Sequence, residues 1–276
     1  MSVAPSLSAS VIITRLRAAG CVFAEDEARL LLAAAGTPDE LADMVERRVA
    51  GLPLEHIIGT AEFCGLRVVV GPGVFVPRRR TGFLVSQAAS VARCGAVVVD
   101  LCCGSGAVGV AVADAVGPVE LYAVDIDPVA VCCARRNVRA AGGRVYQGDL
   151  FEPLPDDLRG RVDVLVACAP YVPTEAVRFL PPEARLHEPR GALDGGTDGL
   201  DVLRRVAERA PRWLAPGGHV LVETSEDQAP EMARAFAGVG LASRVTARRE
   251  LNATVVIGYR DGSGAAQSRI LGLTPT

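Results

Sequence analysis

Gly104-Ser105-Gly106-Ala107-Val108-Gly109 places glycines in G-x-G-x-x-G spacing, after an apolar run and before a helix-forming stretch. Glycines let backbone approach a ligand closely, and the N–H groups at a helix start face whatever lies there. Asp125 ends the next apolar run about twenty residues on, where a carboxylate accepts from ribose hydroxyls. This is the chemistry of a nucleotide-type cofactor. Further along, the apolar run 162–167 closes on Cys168-Ala169-Pro170-Tyr171. A short Pro-Tyr loop at a buried strand end offers a carbonyl and a flat ring beside such a site.

Two cofactors satisfy the glycine loop. A nicotinamide dinucleotide is one, which makes an NAD(P)-dependent oxidoreductase the rival reading on Gly104, Gly106, Gly109 and Asp125. S-adenosyl-L-methionine (SAM) is the other, leaving S-adenosyl-L-homocysteine as product, and two details favour it. Asp100 ends the strand just before the loop. It suits the ammonium and sulfonium of SAM, whereas beside a pyrophosphate it would repel. The loop also lies deep in the chain, after a separate helical segment, and the strand pattern closes with a hairpin. On this reading Asp100, Cys102, Cys103, Gly104, Ser105, Gly106 and Cys168 line the cofactor, Asp125 takes its ribose, and Asp149 with Leu150 reaches the adenine. Asp149 as a simple helix or turn cap is the alternative. Asp127-Pro128 reads as the cap and first turn of the next helix.

These groups need a frame, and the pattern from 95 onward supplies one. Strands are expected at 96–100, 121–125, 145–148, 162–167 and 219–223, with helices at 107–116, 128–141, 199–214 and 228–237. Repeated strand–helix units imply an α/β fold with a Rossmann-like, mostly parallel sheet covered on both faces. Two consecutive strands, 242–248 and 253–260, add an antiparallel terminal hairpin. Before the sheet, 8–49 is helical by its three- and four-residue apolar steps, with Thr37-Pro38-Asp39-Glu40 as a helix start. The stretch 62–76 reads as a hairpin turning at Gly71-Pro72-Gly73, and a helix follows over 81–92. The expected division is a helical domain at 1–60, a hairpin linker at 61–80, a cofactor-binding domain at 81–260 and a disordered tail at 261–276.

Composition narrows the class. Half of the 276 residues are hydrophobic, enough for a large core, yet no apolar run approaches the ~18 residues that cross a bilayer. The N-terminus lacks a secretory pattern, so the cytoplasm is expected. A net charge of −3 argues against a broad nucleic-acid surface, and no DNA-binding motif is seen. Every basic residue is Arg; the run Arg78-Arg79-Arg80 reads equally as a solvated turn or a substrate contact. The eight cysteines include the adjacent pairs Cys102-Cys103 and Cys132-Cys133, without metal-ligand spacing.

With these motifs in their order, the chain resembles the HemK/PrmC family, the protein-glutamine methyltransferases that modify peptide-chain release factors. The resemblance runs through Pro53-Leu54, Phe75-Val76-Pro77-Arg78, Thr81, the loop from Asp100 to Gly106, Asp125, Asp149-Leu150-Phe151, Pro170-Tyr171, Glu188-Pro189, Ala192-Leu193-Asp194-Gly195-Gly196, Asp198-Gly199-Leu200 and Gln228. It implies an N-terminal helical bundle, a hairpin linker, a SAM-binding sheet, and a glutamine of a release factor or ribosomal protein as acceptor. Three departures mark a divergent branch. Cys102 stands where the family has Gly, Arg80 and Gly82 where it has acids around the Thr, and Cys168-Ala169 where its Asn-Pro-Pro-Tyr has Asn-Pro.

In the family the Asn side chain and the next carbonyl hold the glutamine NH₂, and the Tyr packs on the amide plane. The resemblance therefore makes Cys168, Ala169, Pro170 and Tyr171 the catalytic set. A thiol is a weak acceptor, so glutamine transfer is expected to slow by ~10²–10³. Cys168 as a covalent nucleophile lacks a base nearby in sequence. A SAM-binding protein without catalysis is the third reading. Glu188 is expected to shape the substrate entrance, His187 to be an exposed loop residue, and Asp198 to cap the helix near 199.

Overall fold

A computed structural model describes residues 7–260; the expected tail at 261–276 lies outside them. Helices α1 (Ala9–Ala18), α2 (Ala24–Ala34), α3 (Pro38–Val49) and α4 (Leu54–Ile58) come first and share a core of their own around Ile12, Leu16, Leu31 and Val45. The start of α3 follows its sequence: the Thr37 hydroxyl accepts from Glu40 N at 3.2 Å and Pro38 occupies the first turn. Glu40 returns a contact by accepting from Gly36 N at 2.8 Å. Arg47 and Arg48 close the helix where its dipole favours cations.

Strands β1 (Thr60–Phe63) and β2 (Leu66–Val69) pair antiparallel. The hairpin exists, but it turns at Cys64-Gly65 and not at Gly71-Pro72-Gly73. Both turn residues have positive φ, 51° and 80°, the conformation that a two-residue hairpin matching strand twist requires. The stretch 74–76 forms no strand, because side chains satisfy its backbone. His56 Nε2 donates to Val74 O at 2.8 Å, and Glu188 accepts from Val76 N at 3.1 Å.

After α5 (Gly82–Val91) the chain alternates: β3 (Val97–Leu101), α6 (Ala107–Val116), β4 (Glu120–Asp125), α7 (Pro128–Ala140), β5 (Arg144–Gln147), β6 (Val162–Ala167), the short α8 (Pro182–His187), α9 (Asp201–Arg209), β7 (Leu214–Thr224), α10 (Ala229–Gly238), β8 (Ala242–Arg248) and β9 (Ala253–Tyr259). The sheet order is β5-β4-β3-β6-β7-β9-β8, parallel through β7. β9 runs antiparallel between β7 and β8, as expected for the terminal hairpin.

Alternation along the strands builds two cores. Val97, Val99 and Leu101 of β3 face α9 and α10, which contribute Leu203, Val206, Met232 and Phe236. Val98 faces the other way, onto Leu84 of α5, Val112 of α6 and Val138 of α7. Strands buried on both faces explain why these runs read as continuously apolar. The order reverses between β3 and β6, and an open α/β sheet leaves a crevice outside its strand ends at such a point. Among the described residues, no helix is long and apolar enough to cross a membrane.

Candidate active site

A cavity of about 640 Å³ lies over the carboxyl ends of β3, β4, β6 and β7. The loop after β3 contributes Cys102, Cys103, Gly104 and Ser105 to its wall; Asp125 closes β4; Asp149 and Leu150 follow β5. Cys168, Ala169, Pro170 and Tyr171 follow β6 on the same wall. Of the expected residues, only Asp100 and Gly106 stand behind it. Gly106, at φ 78°, packs against α7, where an added Cβ would lie 2.6 Å from Val138 Cγ2.

Asp100 is fully buried beneath the loop. Its Oδ2 accepts from Gly109 N at 2.8 Å, while Oδ1 has no protein partner. Burial, with the nearby Asp125 charge, pushes its carboxyl up to about 7 against the pull of the Gly109 bond. A buried carboxylate with a spare oxygen favours a cation nearby.

The loop is fixed from three sides. Cys103 N donates to Val124 O at 3.0 Å, and Gly104 N to Asp125 Oδ2 at 2.8 Å. From below, Asn137 Nδ2 donates to both Ser105 O and Val69 O, and Asn137 Oδ1 accepts from Val69 N, so β2 braces the loop through α7. Cys102 adopts φ 54°, a left-handed conformation that glycine takes freely and other residues at a cost. That is the physical content of the departure at this position.

Asp125 Oδ1 accepts from Asp127 N at 2.9 Å, which together with the Gly104 bond fixes the carboxylate and leaves lone pairs on both oxygens. Burial, first among the causes, pushes it above the usual carboxylate range. Asp127 caps α7 as expected, accepting from Val129 N at 2.7 Å. Asp149 does not cap: its Oδ2 is paired with Arg205 of α9.

The loop from Cys168 is held by the segment after α8. Val172 N donates to Leu193 O, and Gly195 N to Val172 O. The approach is close enough that a Cβ on Gly195 would lie 2.5 Å from Pro170 O, and one on Gly199 2.2 Å from Tyr171 O. Gln228 Nε2 donates to Tyr171 O at 2.9 Å. The Tyr171 hydroxyl donates to Glu223 Oε1 at 2.9 Å, and Arg80 Nε lies 3.5 Å from that same oxygen. Glu223 is only 2 % exposed, and its Oε2 has no partner.

Burial, followed by the Glu223 charge, pushes the Tyr171 hydroxyl far up. Burial and the charges of Glu223 and Asp100 push the Cys168 thiol well above its ordinary value. That disfavours the thiolate which a covalent nucleophile requires.

The arginine run splits by role. Arg78 pairs with the buried Glu188 at 2.5 Å, and Arg80 joins the Tyr171–Glu223 cluster. Glu188 lines the cavity and also fixes 76–78, whereas His187 is half-buried off the wall. Asp198 accepts from Leu200 N at 3.1 Å just before α9, and pairs with Arg204. Sequence reading left Arg80 open between a solvated turn and a substrate contact, and missed Arg205 and Glu223. Glu223 carried a signal: it is an acid at the carboxyl end of an apolar strand, as Asp100 and Asp125 are.

Comparison with known proteins gives this geometry a family. The model of the methyltransferase small domain matches residues 65–180. A release factor glutamine methyltransferase of Geobacter sulfurreducens is 41% identical over 230 residues, covering 82% of this chain and 80% of that protein. The chain belongs to the HemK/PrmC family of release factor glutamine methyltransferases.

It is a SAM-dependent methyltransferase, and the oxidoreductase and non-catalytic readings fall. A second relative, from Streptomyces pristinaespiralis, is 35% identical over 249 residues, covering 87% of this chain and 84% of its own. It is named 4-amino-L-phenylalanine/4-methylamino-L-phenylalanine methyltransferase, so the two relatives are named for different substrates, a release factor glutamine and an amino-phenylalanine. For the fold, a methyltransferase from Pyrococcus furiosus superposes with a TM-score of 0.54 at 17% identity, over 71% of this chain and 90% of that one.

Proposed function

We propose that the cavity over the strand ends holds SAM against the glycine loop, and that a nitrogen acceptor enters against Tyr171. SAM supplies a methyl group on a cationic sulfur. Asp125 receives the ribose hydroxyls with its remaining lone pairs. Asp149 and Leu150 border the adenine. Asp100, fully buried with one oxygen unpartnered, compensates the positive charge from beneath the loop. The helices before β1 form a separate domain and the hairpin links it to the sheet, as part of the same reading.

The observation that carries the proposal is the shared wall: the glycine loop, Asp125 and the Cys168–Tyr171 loop line one cavity. The chain's own contribution is positioning. Tyr171 presents a flat ring, its loop is clamped by Gln228, and the Ala169 carbonyl remains available to an N–H. A release-factor glutamine, the acceptor for which the family is named, is a slow substrate here, because the Cys168 thiol replaces a strong amide acceptor. The acceptor for which the family is named supports a cytoplasmic location.

The test is radiolabel transfer from SAM to a release factor carrying its Gly-Gly-Gln loop. Cys168→Asn combined with Ala169→Pro is expected to raise the rate by ~10²–10³, the worth of one good hydrogen bond to a reacting group. Robust transfer by the unmodified chain, unimproved by the double variant, contradicts the role given to position 168.

A further inference from the structure

The strand register sets the lost acceptor beside a different one. β6 and β7 run parallel with Ala167 opposite Val222, so the next pair of positions is Cys168 and Glu223. Both line the cavity. Glu223 Oε1 is engaged by the Tyr171 hydroxyl at 2.9 Å and flanked by Arg80 Nε at 3.5 Å. Oε2 has no hydrogen-bond partner, although the side chain is 3% exposed. A buried carboxylate oxygen without a donor is costly, and buried polar groups ordinarily find one. Glu223 itself lines the cavity, so a molecule seated there lies next to the side chain that lacks this donor.

Resting on the SAM reading above, we propose that Glu223 Oε2 receives an N–H of the methyl acceptor, and that this acceptor is an aromatic primary amine. Glu223 thus takes over the holding role that the thiol at 168 cannot perform. Three features select this class. A carboxylate oxygen accepts N–H but cannot donate, so a nitrogen bearing hydrogens suits it. An alkylammonium would bring a positive charge beside a cationic sulfonium and the Arg80 guanidinium, whereas an aromatic amine is uncharged at neutral pH. The acceptor's ring packs on Tyr171, whose own ring has the Arg80 guanidinium carbon 5.9 Å from its centroid.

In the transfer the amine lone pair forms the N–C bond, and the C–S bond of SAM breaks with its electron pair staying on sulfur. The nitrogen then loses one proton to Glu223 Oε2. The products are the N-methylamine, S-adenosyl-L-homocysteine and a proton that leaves through the carboxyl group.

Two probes test this, 4-amino-L-phenylalanine and aniline, by calorimetry with the S-adenosyl-L-homocysteine complex and by radiolabel transfer from SAM. The unmodified chain is expected to bind and methylate at least one of them. Glu223→Gln is expected to weaken probe binding and slow transfer by about tenfold to a hundredfold, as for loss of a hydrogen bond to a charged group. Its S-adenosyl-L-homocysteine affinity is expected to stay unchanged while probe binding and transfer fall, which a purely structural role would not allow. If Glu223→Gln fails to fold, Tyr171→Phe reads the same carboxylate from its other oxygen and is expected to slow transfer while keeping the ring. Binding of S-adenosyl-L-homocysteine without binding or methylation of either probe overturns the inference alone, as does unchanged transfer in a folded Glu223→Gln. Failure to bind S-adenosyl-L-homocysteine overturns the underlying SAM reading, and this inference with it.

Discussion

Gln228 Nε2 donates to the carbonyl oxygen of Tyr171 at 2.9 Å, across 57 positions of sequence. The same nitrogen donates to Asp198 O at 2.8 Å. On its other side, Gln228 Oε1 accepts from Thr224 Oγ1, Ser225 N and Ser225 Oγ. One amide at the start of α10 thus joins the end of β7, the loop after β6 and the segment before α9. The Tyr171 ring keeps its place over the cavity through this amide.

Gln228→Ala is therefore expected to lower unfolding stability by about 2–3 kcal/mol, since it leaves two carbonyls without donors. Methyl transfer falls further than SAM affinity does, because the clamp acts on the acceptor side. Urea unfolding and calorimetry check both halves. Equal losses in the two functional readouts would mean that the clamp supports the whole cavity.

Gly106→Ala probes the glycine loop. The residue has φ 78°, and its Cβ would meet Val138 Cγ2 at 2.6 Å. The variant is expected to lose about 1–3 kcal/mol through backbone strain and overpacking against α7. Its SAM affinity also drops, because the loop is displaced. Gly104→Ala, also at positive φ but with nothing within 4 Å of the added Cβ, is expected to lose less stability. Equal thermal shifts in the two variants would show that contact with Val138 is not what requires glycine at 106.

The sheet was legible because β3, β4 and β6 are buried on both faces and so read as unbroken apolar runs. The bounds expected for α6, β6 and β8 agree with the structure to the residue. The β1–β2 turn was misread because glycine and proline at 71–73 are strong turn signals, while Cys64 gives no sign that it will adopt positive φ. Of the site, the glycine loop and Asp125 follow a pattern tied to chain order. The Arg80–Glu223–Tyr171 cluster does not. It joins the segment before α5, the end of β7 and the loop after β6, and only the sheet order brings these together.

Stability is expected to fall as pH rises from about 4 to about 7. Asp100 has a folded value of about 7 against 3.8 unfolded, so the folded chain holds more protons across that window. Its stabilising contribution is complete below the unfolded value and is lost as pH climbs through the folded one. Asp125 and Glu188, both raised first by burial, act with the same sign. Asp194 and Asp198 are lowered and act oppositely, but only beneath the ordinary carboxylate range. Asp100→Asn is expected to flatten the slope in thermal melts across this window. A slope unchanged in the variant would assign it to other groups.

The central claim is that one wall of the cavity holds SAM while the Tyr171 loop holds the acceptor. Calorimetric titration of SAM into the unmodified chain, Asp125→Ala and Tyr171→Ala tests it most directly. One SAM is expected to bind per chain. Asp125→Ala weakens it by at least ~1.5 kcal/mol, more than tenfold, for the lost bonds to a charged group. Tyr171→Ala leaves SAM affinity unchanged while abolishing turnover. Unchanged affinity in Asp125→Ala, or tight NAD binding with no SAM binding, contradicts the account.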